Sequence, residues 1–276
     1  MTNGAAEGSS LQASSSSFLK LDVSPAVRFR FFTLIFLCLV AKTSAVDFRM
    51  ETFHGKKITV CQVNVGREPL ELFLRDEAGA PLKSFDGINQ FLEKKQRRLV
   101  FGMNAGMYEP GFAPTGLFVA DGKQWFPVNL KPGSGHLNFY LKPNGVFLIS
   151  ESGAARIVES SEYNALAGGV RLATQSGPLL VTHGRIHPAF RAESESRLFR
   201  NGVGVPSPDT ALFAVTEEPV NFYEFATFFR DGLHCPDALF LDGTVSSLFS
   251  TSLHRNDRKI DLGPIIGVTE VARKAE

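Results

Sequence analysis

Three cysteines in 276 residues are too few for a disulfide scaffold. No Cys-x-x-Cys pair occurs, and His183 and His187 are separated by a probable Gly184 turn rather than carried on a helix, so no zinc site is expected. Charge of one sign is missing as well. With 29 Lys and Arg against 28 Asp and Glu, there is no basic excess for a nucleic-acid-binding face. Long hydrophobic runs are absent: the longest, residues 31–41, is half of what a bilayer crossing needs. Walker-type phosphate loops and Gly-x-Ser-x-Gly elbows do not occur, and the Gly202-x-Gly204 pair lacks the third glycine of a dinucleotide fold. Residues 46–276 contain neither a Pro/Ser/Gly-rich linker nor a repeat of fixed period.

What is present is phenylalanine, 25 copies against one Trp and four Tyr, so the core is expected to rest on Phe. Residues 1–45 differ from the rest. A Ser/Ala/Gly-rich stretch precedes Arg28 and Arg30, then the short apolar run, then small residues ending at Thr43 and Ala45. That order is the layout of a secretory leader, which predicts an exported protein, periplasmic or secreted, with no stable membrane span after processing. Its removal leaves 25 basic against 26 acidic residues, with Cys61 and Cys235 either paired or separately buried.

Residues 46–276 read as one α+β domain, a mixed or antiparallel sheet core with a few helices. Strands are predicted over 58–65, 70–75, 98–103 and 238–241 from their β-branched and apolar runs. Helices are predicted over 87–95, with Asp86 as N-cap, and over 221–230, where Phe222, Phe225, Ala226 and Phe229 share a face. Hairpins are expected at Asp121-Gly122, at Pro143-Asn144-Gly145 between 137–141 and 146–149, and at His183-Gly184.

Four polar clusters interrupt this pattern. MNAGMY at 103–108 places Asn104 after a buried strand, to present its amide to a ligand or to bond its own turn. ATQSGPL at 173–179 offers Gln175 and Ser176 as donors, with Gly177 marking a close backbone approach; an edge-strand bulge reads equally well. RNGVGV at 200–205 puts Arg200, a five-donor fork suited to phosphate or carboxylate, just before Asn201; a solvated Arg is the alternative. LDGTVSS at 241–247 presents Asp242 at the end of a buried strand beside Ser246 and Ser247, or else caps a helix.

Taken in order, with PTGL at 114–117 and KPNG at 142–145, these motifs resemble the phosphodiester glycosidase domain family. The resemblance runs from about 58 to 268 and departs from the family at Thr244-Val245 and after Asn104. It implies cleavage of the C1–O bond of a sugar-1-phosphodiester without a cofactor. Such a leaving group is acidic, so general-acid help matters less than an anion at the sugar and donors on the phosphate. The resemblance implies Asp242 as nucleophile, base or electrostatic stabiliser, Arg200 on the phosphate, and Asn104, Gln175, Ser176, Gly177, Asn201, Ser246 and Ser247 around the substrate. Glu109 and Asp209 are spare carboxylates for a second acid/base role, and His183 or His187 is an optional proton donor. The different-class alternative is a non-catalytic carbohydrate- or envelope-binding module using the same cleft.

Overall fold

The computed structural model describes residues 46–133, 138–166 and 169–272, which belong to one compact unit. The expected leader over 1–45 lies outside the described residues. In chain order, β1 (Val46–Phe53) and β2 (Lys56–Asn64) are followed by β3 (Leu70–Phe73), helix α1 (Phe85–Glu93) and β4 (Arg97–Asn104). Next come β5 (Phe118–Ala120), β6 (Lys123–Phe126), β7 (Gly145–Ser150), β8 (Ala155–Glu159) and β9 (Val170–Ser176). β10 (Leu179–Thr182), β11 (Arg185–Ile186), β12 (Asn201–Ser207) and β13 (Thr210–Thr216) lead into helix α2 (Phe222–Thr227), continued by a π turn over Phe228–Gly232. β14 (Asp237–Asp242), β15 (Leu248–Ser250), β16 (Arg255–Asn256) and β17 (Ile265–Val271) complete the described chain.

These strands form three sheets. One has the order β1-β2-β13-β12-β14-β10-β11, the second β16-β15-β4-β17-β3, and the third β6-β5-β9-β7-β8. All the strand pairings are antiparallel. The architecture is therefore nearly all sheet, with the two helices as covers. The sheets share a central core that includes Val63, Phe101, Met103, Phe147, Val203, Phe213 and Leu239. Phenylalanine supplies its bulk, as its abundance implies: Phe213 packs against both Phe101 and Phe147 at 5.1 and 5.9 Å. On the opposite face of the seven-stranded sheet, α2 and the π turn bury Phe225, Phe228 and Phe229 against Phe240. α1 buries Phe85, Ile88 and Leu92 against Leu99 and Ile265.

Two local expectations are corrected. α1 is capped by Ser84, whose Oγ accepts from Gly87 N at 3.0 Å, while Asp86 sits in the first turn and pairs with Arg258. The hairpin about Asn144 does not form, because β7 pairs with β8 and β9 and residues 138–140 make a 3₁₀ turn. There the Asn144 amide donates to Phe139 O at 2.8 Å and its oxygen accepts from Lys142 Nζ at 2.8 Å, so the side chain holds the turn that polarity alone read as a strand connection. The Asp121-Gly122 and His183-Gly184 turns form as expected, with positive φ at all four residues. Cys61 and Cys235 are separate buried thiols, one in the central core and one under α2.

Candidate active site

The polar residues that meet do so where β4, β9, β12 and β14 terminate. β12 and β14 pair with a register shift: Gly202 opposes Phe240, but Asn201 opposes Asp242. The shift is a β-bulge, which frees one residue from the ladder and re-aims its neighbours. Asp242 N donates to Asn201 Oδ1 at 2.9 Å. Asn201 Nδ2 in turn donates to Asn104 Oδ1, which also accepts from Ser247 N at 3.0 Å. Both asparagines are fully buried. This amide pair therefore ties three distant segments to one point, and each buried acceptor has its donor. Ser176 Oγ donates to Leu241 O at 2.7 Å, and Ser246 Oγ to Asp242 O at 3.1 Å, so two hydroxyls fix the backbone on either side of the carboxylate's own residue.

The Asp242 carboxylate folds back over the turn that follows it and accepts from Thr244 N at 2.9 Å. Among the described residues no helix follows, so the capping reading of Asp242, Thr244 or Ser246 gives way to this turn. Burial pushes the Asp242 carboxyl up to about 6, against the pull of the N–H groups of Thr244, Val245 and Gly243. Tyr108, from the loop after β4, lies within the field of Asp242. Burial first, then the charges of Asp242 and Asp261, push its hydroxyl upward, and that hydroxyl donates to Asp261 O at 2.5 Å. A partly protonated carboxyl near neutral pH, held by backbone and bordered by a tyrosine, can act as an acid, a base or a stabilising anion.

Arg200 is not arranged as the motif order implies. Successive residues of an extended strand point to opposite faces. Val203 and Val205 enter the central core, whereas Gly204 lies beneath Cys235, so close that a Cβ there would be 2.6 Å from Sγ. Asn201 shares the first face and Arg200 the second. Its guanidinium lies 3.7 Å over the Phe222 ring, donates through Nε to Val220 O at 2.9 Å and through Nη2 to Ser196 O at 3.0 Å, and is 1% exposed. Burial lowers it to about 10 and Glu224 is the charge that opposes this, while Nη1 has no partner. Arg200 thus anchors the 191–199 segment onto α2, alongside the Arg197–Glu224 pair.

Several other expected ligands are otherwise engaged. The Gln175 amide accepts from Leu117 N and Asn129 N at 3.0 and 2.8 Å and donates to Asn129 O and Ser160 Oγ at 2.8 and 3.0 Å, which exhausts its donors and its two main acceptor directions. Gly177 does mark a close approach, since a Cβ there would lie 2.5 Å from Asn144 Cβ. His187 accepts from Ala189 N at Nδ1 and so donates from Nε2 to Lys142 O at 2.9 Å; burial lowers its pKa and the ring is neutral. His183, in the β10–β11 turn, sits against the start of β14, not its end: its N–H donates to Asp237 Oδ1, and both line a groove of about 510 Å³. Asp209 occupies the exposed β12–β13 turn, about 20 Å along β12 from Asn201 by strand rise. Glu109 is exposed in the loop next to Tyr108. Among the described residues, no group of three or more His, Cys, Asp or Glu is arranged to hold a metal ion.

The phosphodiester glycosidase family profile matches residues 97–269, a span that contains Asn104, Ser176, Asn201, Asp242, Ser246 and Ser247. The chain belongs to the phosphodiester glycosidase family. It is 34% identical over 154 residues to the uncharacterized protein YigE of Escherichia coli (strain K12), covering 56% of this chain and 59% of that protein. Among solved structures it is similar to the catalytic domain of zebrafish N-acetylglucosamine-1-phosphodiester alpha-N-acetylglucosaminidase, auto-inhibited by its pro-peptide. That likeness has a TM-score of 0.58 at 12% identity, over 83% of this chain and 84% of the other, and it is a likeness of fold. In this family member the expected set divides into the residues gathered around Asp242 and those engaged elsewhere. Sequence reading had no signal for the division, because Arg200 and Asn201 are adjacent in the same motif.

Proposed function

We propose that this protein is an exported hydrolase that cleaves the C1–O bond of a sugar-1-phosphodiester, with Asp242 as its catalytic carboxylate. The observation that carries the reading is a carboxyl at the open end of a buried strand, raised to about 6 and fixed by the Asn104–Asn201–Ser247 network. As the C1–O bond breaks, positive charge builds on the sugar ring and the phosphate leaves as a monoester. The ionised Asp242 meets that charge as nucleophile, base or stabilising anion, and a desolvated carboxylate does so more strongly than one in water. The asparagine pair acts earlier, by holding the β12 and β4 ends in register, so the carboxylate needs no reorganisation when charge develops. Tyr108, Ser246 and the exposed Thr244 supply hydroxyls around a bound sugar.

The test is turnover of α-linked sugar-1-phosphodiesters by purified protein, starting with an N-acetylglucosamine-1-phosphodiester, the diester for which the zebrafish enzyme of similar fold is named. Water labelled with oxygen-18 should place the label on the sugar. Label on phosphorus would replace glycosidase with phosphodiesterase chemistry. Saturable binding of the diester by wild type and Asp242→Asn alike, without turnover in either, would establish a binding module.

A further inference from the structure

Sheet edges expose unpaired backbone groups, and proteins usually keep them short, bulged, proline-bearing or covered. The edge strands β3, β6, β11 and β16 are short, and β8 already gives its Ala155 N to Pro208 O at 2.7 Å. β1 is different. It pairs with β2 over its whole length without a register shift and contains no proline. Its Arg49 and Glu51 neutralise each other at 2.7 Å, so the edge carries little net repulsion there. The hairpin turn His54-Gly55 has positive φ at both residues and sets Phe53 opposite Lys56, and the pair flanking such a two-residue turn is hydrogen-bonded. Bonded and outward residues then alternate back along the strand. Glu51 and Arg49 bond to β2, while Thr52, Met50 and Phe48 aim their N–H and C=O groups away from the sheet. Those three have no backbone partner among the described residues. Met50, at their centre, is 64% exposed.

We infer that β1 is a dimer interface, on which a second copy of this chain adds its own β1, antiparallel, across a two-fold axis through Met50. The two seven-stranded sheets then become one. Outward groups meet outward groups only if the axis passes through a residue rather than between two, and charge chooses which residue. Through Arg49 the axis would set that side chain against the partner's Arg49, and through Glu51 against the partner's Glu51; like charges directly opposite are destabilising. Through Phe48 or Thr52 it would leave less of the strand overlapped. Through Met50, each Arg49 faces the partner's Glu51, and Phe48 exchanges hydrogen bonds with the partner's Thr52. The two exposed Met50 side chains meet on the axis and leave water. Asp242 lies on β14, four strand spacings from β1, or about 19 Å. The contact therefore leaves each copy's site intact, and the inference stands apart from the glycosidase reading.

Two measurements test this on the full chain. In sedimentation equilibrium, wild type should dimerise reversibly. Arg49→Glu and Glu51→Arg should each weaken the dimer about tenfold or more, because symmetry turns two attractive pairs into two repulsive ones. The double variant Arg49→Glu/Glu51→Arg restores opposite charges at both places and should dimerise within about threefold of wild type. The second measurement is crosslinking by copper–phenanthroline and oxygen in a Cys38→Ser background, where Cys61 and Cys235 are buried. Met50→Cys should give a disulfide-linked dimer, since a hydrogen-bonded antiparallel pair has Cα atoms about 5.5 Å apart, within disulfide reach. Thr52→Cys should not, because its two copies would stand about 14 Å apart. A monomeric wild type, a dimer indifferent to both single charge variants, or equal crosslinking through positions 50 and 52 overturns the interface.

Discussion

Replacing Asp242 by Asn should make the protein more stable and less active at once. The carboxyl moves from an ordinary 3.8 to about 6 on folding, so its ionised form costs the folded state up to about 3 kcal/mol. Partial exposure of the residue screens part of that, and about 1–3 kcal/mol is the working range. The sign follows from proton binding. Below about pH 3.8 the carboxyl is protonated in both states and the site is neutral to stability. Between 3.8 and about 6 the unfolded chain ionises first, so the contribution of Asp242 to wild-type stability falls as pH rises, and above about 6 its full cost is present. Asp242→Asn lacks this term. Urea unfolding at a series of pH values should therefore show a variant gaining about 1–3 kcal/mol over wild type from pH 4 to pH 7.5. The same substitution should lower kcat by at least about 10²-fold. Wild-type kcat/KM should fall with one-proton slope below about pH 6. A stability difference that does not change with pH, or a variant that keeps its turnover, refutes the assignment of a strained, functional carboxylate.

Arg200→Ala separates anchoring from phosphate binding. It leaves Ser196 O without its donor, removes one of the two donors on Val220 O, which keeps Leu198 N, and empties the space over Phe222, so the urea midpoint should drop by the equivalent of about 2–4 kcal/mol. Unchanged stability with a raised KM would return it to the phosphate. Gln175→Leu leaves Leu117 N and Asn129 N without their acceptor, which should cost about 2–3 kcal/mol and speed proteolysis near residue 129. A normal unfolding curve would restore Gln175 as a candidate ligand. His187, lowered by burial, takes a proton in the unfolded chain before the folded one. The contribution of this ring should therefore be lost as pH falls below about 6.5, opposite in sign to that of Asp242, so the stability difference between wild type and His187→Gln should shrink as pH falls; parallel pH profiles would contradict a buried neutral ring.

How much of this was legible in the sequence depends on range. Elements fixed by local chemistry were readable: the Asp121-Gly122 and His183-Gly184 turns, where left-handed backbone is required, and the Phe-rich helix after Asn221, whose capping box joins Asn221 to Glu224. The three-sheet arrangement was not readable, since antiparallel partners such as β4 and β17 stand more than 150 residues apart. Asn144 misled because a Pro-Asn-Gly string signals a turn without saying whether the turn joins paired strands. Ser84 was overlooked as cap because Asp86 is an equally good capping residue type two positions on.

The division of the RNGVGV motif is the most instructive failure. A one-dimensional string treats Arg200 and Asn201 as a single patch, but β parity sends them to opposite faces of a sheet. Gly202 and Gly204 carry no side chain on the α2 face, which leaves room for Phe225, Phe229 and Cys235 to reach the backbone. That close packing fixes α2 against the sheet and seats Phe222 under the Arg200 guanidinium. On the other face, the shift that sets Asn201 against Asp242 skips Leu241 and leaves the ladder just where the carboxylate emerges. A regular register would pair Asn201 with Leu241 and carry Asp242 one step past the strand end, away from the amide that now holds its N–H. The glycines and the bulge are thus two parts of one device: the first makes β12 rigid from below, and the second spends that rigidity on the position of a single acid.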